Sequence, residues 1–339
     1  MQDDILKLAY EVSSISENKI HLIDSVMGQA RFLAINAHIE AARAGAAGVA
    51  FGVLADEMGK VAGTITHISA ELRSAIKDST KRLQHVGAEL VMNHKGSRYA
   101  DLALNVIEIM DRNLYERSCD VRWWATDSAV VAAVESGSVA DRQHACARLN
   151  TILKSYTVYL DLVIADTNGK VVACGRPDLY PQSIGTDVRQ REWFQKAMQT
   201  RSGEEFAVAE VQAVPYLNHA VTATYSTAIR ARGLSNGKII GALGIGFDWT
   251  PQAAAIVKGI RLTQDERENT RVMIIDANRR VLAASDDAGR LSEIYPLQCD
   301  KSHGFYKKDD KLIAYALTPG YETYQGLGWY GVIEAKLSV

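Results

Sequence analysis

Apolar residues recur three and four apart through most of the first ninety positions. Downstream of Gly45-Ala46-Ala47-Gly48, the residues Phe51, Leu54, Met58, Val61, Ile65, Ile68, Leu72 and Ala75 form one heptad series, the seam of a coiled coil. Upstream there are two seams. One is Ile5, Leu8, Val12, Ile15, Leu22, Val26 and Leu33; the other is Ile20, Ile23, Met27, Ala30, Ala34, Ala37, Ala41 and Ala44. Alanine is the strongest helix former and glycine the usual residue for closing a helix, so Asn36 to Ala62 reads as helix, tight turn, helix. The first helix is expected from about Asp4 to Arg43, capped by Asp3 or Asp4 and ~60 Å long at 1.5 Å per residue. A two-helix hairpin needs one seam per helix. The extra seam predicts a second copy, a parallel homodimer through residues 4–90 in which two hairpins make an antiparallel four-helix bundle, with Ile23 and Met27 facing the partner. Beyond Ala75 the seam loosens, and Gly87 with Asn93-His94-Lys95-Gly96 predicts a break or kink. Arg98 to Glu116 is helical again, with Leu102, Val106, Ile109 and Leu114 on its apolar side.

From Asp120 to Asn150 further helical pieces are expected. Trp123 and Trp124 are adjacent, so only one of them can join a core. The period then changes to two. Leu160 to Ala165 reads as a strand, Asp166-Thr-Asn-Gly as a turn and Lys170 to Cys174 as the return strand. Strands follow at Glu205 to Val214, Ala220 to Ile229 and Ile239 to Phe247. A second unit of the same layout begins with Val272-Met-Ile-Ile, a turn at Asp276-Ala-Asn-Arg, and Val281 to Ser285. It continues with strands at Gly304 to Tyr306, Leu312 to Leu317 and Trp329 to Glu334. Two hairpin-led antiparallel sheets after a long helix indicate a tandem α+β module.

Composition narrows the function. With 339 residues, 47% hydrophobic and 23% charged, the chain can form two or three cored domains. A net charge of -2 gives no electrostatic case for nucleic acid or an anionic membrane. Cys119, Cys146, Cys174 and Cys299 are dispersed and read as reduced thiols of a cytosolic protein; the eight histidines are scattered, so no metal site is expected. Asp3 and Asp4 precede only a short apolar patch, which argues against a signal peptide, and no apolar run reaches a membrane span. A soluble, cytoplasmic protein is therefore expected. No nucleophile–base set or phosphate-cradling glycine loop stands out, so neither an enzyme nor a cofactor is expected; an enzyme reading would have to use Arg191, Asp248 or Cys174.

Two stretches resemble known families. Leu33-Ala-Ile-Asn-Ala37, Ile39-Glu-Ala-Ala-Arg-Ala-Gly45, Phe51 and Val53-Leu-Ala-Asp-Glu57 resemble the signalling-hairpin tip of bacterial methyl-accepting chemotaxis proteins. The resemblance implies a tip that binds the chemotaxis histidine kinase and its coupling protein, carried over onto Asn36, Glu40, Arg43, Phe51 and Glu57. The chain departs from the pattern at Arg31, Ala46, Val49-Ala50 and Gly59. The family's methylation segments lie further from the tip than this arm reaches and are expected to be absent.

The region from Arg98 to Val339 resembles the double Cache sensor, two stacked PAS-like sheets on one long helix. The motifs are Asp161-Leu-Val-Ile-Ala-Asp-Thr-Asn-Gly-Lys-Val-Val, Arg191-Glu-Trp-Phe, Gly241-Ala-Leu-Gly-Ile and Gly326-Leu-Gly-Trp-Tyr-Gly-Val-Ile. The resemblance implies a ligand in the first sheet, with Arg191 gripping a carboxylate through its planar fork and Trp193 and Phe194 as an aromatic wall. Tyr216 and Asp248 would close it. Amino-acid-binding members carry a Tyr where this chain has Thr186 and an amine-binding Asp where it has Gly246. Helix capping, packing and strand-end surface are the plain alternatives for these residues.

The division expected is 1–95 signalling hairpin, 96–150 long helix and linker, 151–265 first, ligand-binding sheet, and 266–339 second sheet. The function expected is a chemoreceptor-like transducer that senses a small molecule, with a carboxylate or amino acid as the candidate, and signals through the hairpin tip to a chemotaxis histidine kinase by a shift in the long helix. A dimeric scaffold or an orphan sensor without kinase control is the alternative.

Overall fold

The structure is a computed structural model that describes the backbone of residues 2–337 and side chains from residue 7 onward; Ile5 of the first seam lies outside the described side chains. The chain divides into two compact units, 1–95 and 96–339.

The first unit is a helical hairpin. Helix α1 spans Gln2–Arg43, a 3-10 turn covers Gly45–Gly48, and helix α2 spans Val49–Trp124. Asp3 and Asp4 already lie within α1, so neither precedes its first turn as a cap. Gly45 takes a left-handed φ of 60°, the conformation a glycine adopts without strain. Gly48 has no room for a side chain, since a Cβ there would lie 2.1 Å from the Ala41 carbonyl oxygen.

The helices meet mostly through small residues. Ile20, Ala34, Ala41, Ala55, Ala62 and Ser69 are buried, with Met27, Gly52 and Gly59 half-buried on the same line. This corrects the heptad assignment. Phe51 and Leu54 are 68% and 64% exposed, and Val61, Ile68 and Leu72 point outward with them, as do Leu8, Val12, Ile15, Leu22, Val26 and Leu33 on α1. Small side chains let two backbones approach closely, so they take the inner line and leave the large ones outside. Met27 belongs to the inner seam, not to an intersubunit one. Arg73 donates to Asp24 across the hairpin at 2.7 Å.

The expected break at Gly87 or at 93–96 is absent, and α2 is continuous. A lone glycine in a helix costs only about 1 kcal/mol relative to alanine. Gly96 serves packing: a Cβ there would come within 2.3 Å of the Phe305 ring.

In the second unit, α2 is followed by α3 (Ser128–Glu135) and α4 (Val139–Ser155). Asp127 caps α3 by accepting from the Ala129 N–H, and Ser138 caps α4 by accepting from the Asp141 N–H. Trp124 is buried and Trp123 exposed. The first sheet comprises β1 (Tyr159–Asp166), β2 (Val171–Cys174), β3 (Ala207–Val208), β4 (Gln212–Val214), β5 (Ala220–Arg230) and β6 (Ile239–Asp248), with α5 (Glu192–Met198) between β2 and β3. Its order is β2-β1-β6-β5-β3, with β4 also on β5. The single strand expected over Glu205 to Val214 is two short strands. They meet β5 at different registers, Ala207 opposite Ser226 and Gln212 opposite Thr222.

Helices α6 (Trp249–Lys258) and α7 (Gln264–Asn269) lead to β7 (Thr270–Ile275), β8 (Val281–Ala284), β9 (His303–Lys308), β10 (Lys311–Leu317) and β11 (Tyr330–Lys336). These form a second antiparallel sheet in the order β8-β7-β11-β10-β9. The α+β fold of a long helix followed by two antiparallel sheets is the one the strand pattern indicates.

Helix α2 is pinned to both sheets. Tyr159 on β1 donates to Asp120, and the Arg117 guanidinium lies 5.0 Å from the Tyr159 ring centroid and 5.5 Å from that of Phe247. Toward the second sheet, Asp111 accepts from the Thr318 hydroxyl and from the Gly320 N–H at 2.9 Å. The Tyr225 and Tyr324 hydroxyls, 3.1 Å apart, join the first sheet to the loop before β11.

Candidate ligand site on the first sheet

The face of the first sheet turned away from α2 carries an aromatic and aliphatic cluster that includes Val163, Tyr180, Trp193, Phe194, Tyr216 and Leu217. Arg191 is the N-cap residue of α5, which places Trp193 and Phe194 on the first turn, both buried. Trp193 lies over Gly244, where a Cβ would be 3.0 Å from its ring, and its Nε1 donates to the Tyr216 hydroxyl at 3.1 Å. Trp193 and Phe194 meet edge to face with centroids 5.9 Å apart. A short turn, Pro215–Leu217, carries Tyr216 and Leu217 over the strands. The Ser183 hydroxyl donates to the Tyr216 carbonyl at 3.1 Å, and Gln182 Nε2 to the Pro215 carbonyl at 3.0 Å. Asn218 and His219, which leave the turn, both have left-handed φ, 55° and 60°.

The electrostatics single out Arg191. It is half-buried, and its guanidinium makes no hydrogen bond or ion pair among the described residues. Burial pushes the Tyr216 phenol up to about 12, while the Trp193 hydrogen bond and the Arg191 charge pull it down. Asp248 stands at the end of β6 opposite Thr222, half-buried, with its carboxyl raised by burial alone. It influences Tyr180 on the same face, whose phenol is raised by burial, then by Asp161, and less by Asp248. Thr186, at the position the resemblance gives to a tyrosine, donates to the Gln182 carbonyl at 2.5 Å within the neighbouring loop.

Asp161 on β1 carries chemistry that the residue pattern left unassigned. It is 1% exposed, and burial pushes its carboxyl up to about 6, against the pull of backbone N–H groups from Leu162, Gly175 and Arg176. A single carboxylate inside the apolar run Leu160 to Ala165 was the signal available in the sequence.

At the hairpin tip, Asn36, Glu40, Arg43, Phe51 and Glu57 are all exposed. Arg43 donates to Glu40 at 2.8 Å and Lys60 pairs with Glu57 at 3.3 Å. Surface pairs of this kind add little stability, which leaves these side chains free to exchange partners.

The Cache domain family matches residues 57–338. The chain belongs to the Cache domain family. Its Cache fold is shared with the sensor domain of the Vibrio cholerae histidine kinase DctB, at a TM-score of 0.55, 12% identity, and coverage of 74% of this chain and 99% of that one. It is similar also to the ligand-binding domain of the Pseudomonas aeruginosa amino acid chemoreceptor PctC in complex with GABA. There the TM-score is 0.54 at 14% identity, over 72% of this chain and 100% of that one. Among curated proteins, the methyl-accepting chemotaxis aspartate transducer of Klebsiella aerogenes is 32% identical over 115 residues, 33% of this chain and 21% of the transducer. Methyl-accepting chemotaxis protein IV of Escherichia coli is 35% identical over 92 residues, 27% of this chain and 17% of that protein. The chain thus spans about a fifth of the length of these relatives.

Elsewhere in this Cache chain, a cleft of about 210 Å³ is lined by Glu192, Lys196, Glu210, Asp276 and Arg280, among others. Its charges are already matched, Lys196 with Glu192 at 2.6 Å and Arg280 with Asp276 at 3.1 Å. Among the described residues no group of three or more histidine, cysteine or acidic side chains could hold a metal, and no helix is long and apolar enough to cross a membrane.

Proposed function

We propose that this Cache protein is a chemoreceptor-type signal transducer, a receptor rather than an enzyme, that binds a small carboxylate or amino acid on the outer face of its first sheet. Arg191 carries this reading: a half-buried guanidinium with no hydrogen bond or ion pair among the described residues, at the N-cap of the helix that carries Trp193 and Phe194. Trp193 and Phe194 supply the wall and Asp248 stands at the strand end. Likeness to chemotaxis transducers supports the signalling half of the proposal. In it the hairpin pairs with a second copy in the cytoplasm and its tip, around Glu40 and Phe51, engages a histidine kinase and coupling protein.

Calorimetry of the full chain against small carboxylates, amino acids and amines tests the ligand. Losing one side of a charge-assisted pair costs roughly 2 kcal/mol or more, so Arg191→Ala should weaken a carboxylate ligand by about 30-fold or more. Unchanged affinity would remove Arg191 from the site. A scaffold that has lost its ligand is the second reading, favoured by Leu217, which covers Gly246 closely enough that a Cβ there would be 3.2 Å from its Cδ1.

The dimer has its own test. Val26 and Leu72 are exposed and lie off the inner seam, so the double change Val26→Lys, Leu72→Lys should leave the hairpin intact and give monomers in sedimentation at micromolar concentration. An unsubstituted protein that sediments as a monomer at that concentration would refute the pairing.

A further inference from the structure

Asp161 lies where α4, β1 and β2 are tied together. Its Oδ1 accepts the backbone N–H groups of Leu162, Gly175 and Arg176 at 2.8, 2.9 and 3.0 Å. Further links surround it. Asn150 Nδ2 on α4 donates to the Gly175 carbonyl at 2.9 Å. The Arg176 guanidinium donates to the carbonyls of Leu153, Tyr159 and Leu160 at 3.0, 3.0 and 2.9 Å. The packing is close: a Cβ on Gly175 would lie 2.4 Å from Leu153 Cδ1 and 3.1 Å from Asp161 Oδ1.

Inside this junction Asp161 Oδ2 is buried and has no hydrogen-bond partner among the described residues. Gly246, opposite Asp161 on β6, brings no side chain toward it. The Cys174 thiol neighbours the carboxylate but is a weak donor, and Arg176 is occupied by its three carbonyls. An ionised oxygen left unpaired in a core is a large cost, and such a group relieves it by taking a proton. We propose that Asp161 Oδ2 is a proton-binding site and that the junction around it is a pH-sensitive clamp, firmer with the proton bound than without it. The proton is an input separate from any ligand on Arg191, and the proposal stands whether or not Arg191 holds one.

The groups facing Asp161 are Cys174 on β2, Arg176 after it, Cys146 on α4, Tyr180 from the loop after β2 and Tyr216 from the turn Pro215–Leu217. Burial raises both thiols and both phenols, so none of them gains charge between pH 4.5 and 8. The carboxyl, pushed up to about 6 by burial against the pull of its three N–H donors, changes charge in that range. An aspartate in an unfolded chain titrates at about 4, so the folded chain binds the proton more tightly. The stability this adds is fully present below about pH 4, is lost as pH rises through about 6, and is gone above about 7.

Urea unfolding of the full chain between pH 4.5 and 8, with the parent beside Asp161→Asn, tests the proposal. Asparagine keeps Oδ1 as acceptor for the three N–H groups and cannot take up the proton. Asp111, Asp120 and Asp248, whose carboxyls burial also raises, are present in both proteins, so the difference between the two isolates residue 161. The folding equilibrium constant of the parent relative to that of the variant should rise about 20-fold from pH 8 to pH 4.5, mostly below pH 6.5. A purely structural Asp161 gives a difference that is flat with pH, and that result overturns the proposal whichever protein is the more stable. A second measurement needs no variant. Carbon-13 NMR of the Asp161 carboxyl, assigned through its own backbone, should show a midpoint near 6 in the folded protein. A midpoint below about 5 overturns the proposal even if Asp161→Asn does not fold.

Discussion

Replacing Arg117 with alanine is expected to cost about 3–5 kcal/mol of stability, the range for removing one partner of a buried ion pair. Arg117 is buried between the Tyr159 and Phe247 rings and lies 3.4 Å from Asp120 and 2.9 Å from Glu116. Asp120 is buried too, and burial raises its carboxyl, with Tyr159 and Arg117 opposing that rise. Without the guanidinium, Asp120 keeps one hydroxyl donor and loses its counter-ion, and two aromatic rings lose a face contact. Urea unfolding of residue 117 variants at pH 7 measures the loss. The sign with pH is fixed by Asp120. Burial raises its folded-state carboxyl above its ordinary value, so acidification neutralises it and removes its need for a cation. The deficit of Arg117→Ala should shrink toward low pH. Arg117→Met, which keeps much of the packing, should fall between. A loss below about 1 kcal/mol at pH 7 would show that the pair does not hold β1 to α2.

The second large effect is expected at Gly331. This residue of β11 lies so close to α2 that a Cβ would be 2.1 Å from the Ala103 carbonyl oxygen. The obstacle is helix backbone and has no rotamer to change, so Gly331→Val must push helix and sheet apart. Overpacking typically costs about 1–3 kcal/mol, and backbone collision puts this case at the upper end. For a domain of this size that is a fall of roughly 6–12 °C in melting temperature. Gly304→Ala is the matched control, because its nearest atom, the Tyr315 hydroxyl, would be 3.5 Å away, an ordinary contact. Calorimetric melting that shifts equally for both would refute the argument.

The fold was legible wherever one residue pattern admits one structure. Asp166-Thr-Asn-Gly between two β-branched runs allows little besides a hairpin, and the structure shows Val163 opposite Cys174 across it. Periodicity could not say which face of a helix meets which neighbour. Phe51, Leu54 and Val61 share a stripe on either assignment; that they face outward depends on Gly52, Ala55 and Gly59, whose smallness rather than hydrophobicity makes them the inner line. Gly96 read as a break because the sequence does not disclose Phe305, more than two hundred residues away. In the candidate site, Arg191 and Trp193 came from a compact motif that a resemblance could carry. Asp161 did not, since its interest lies in an orphaned oxygen and in pairing with Gly246, both of them properties of the folded chain.

The hairpin's small inner line has a consequence for how the two units come to order. Closing a seam that is mostly alanine and glycine, with Ile20 and Met27 its large apolar members named above, removes little apolar surface from water, so a single hairpin gains little by folding alone. In the pairing proposed above, Leu22, Val26, Leu54 and Leu72, which face outward, would supply most of the gain against a second copy. Under that pairing, order in the arm would follow mass action and rise with local protein concentration, while residues 96–337 carry cores of their own. Crowding copies together would then by itself stiffen the arm before any ligand arrived, and dispersing them would loosen it, so that in the proposed transducer clustering would be an input of the same kind as the ligand.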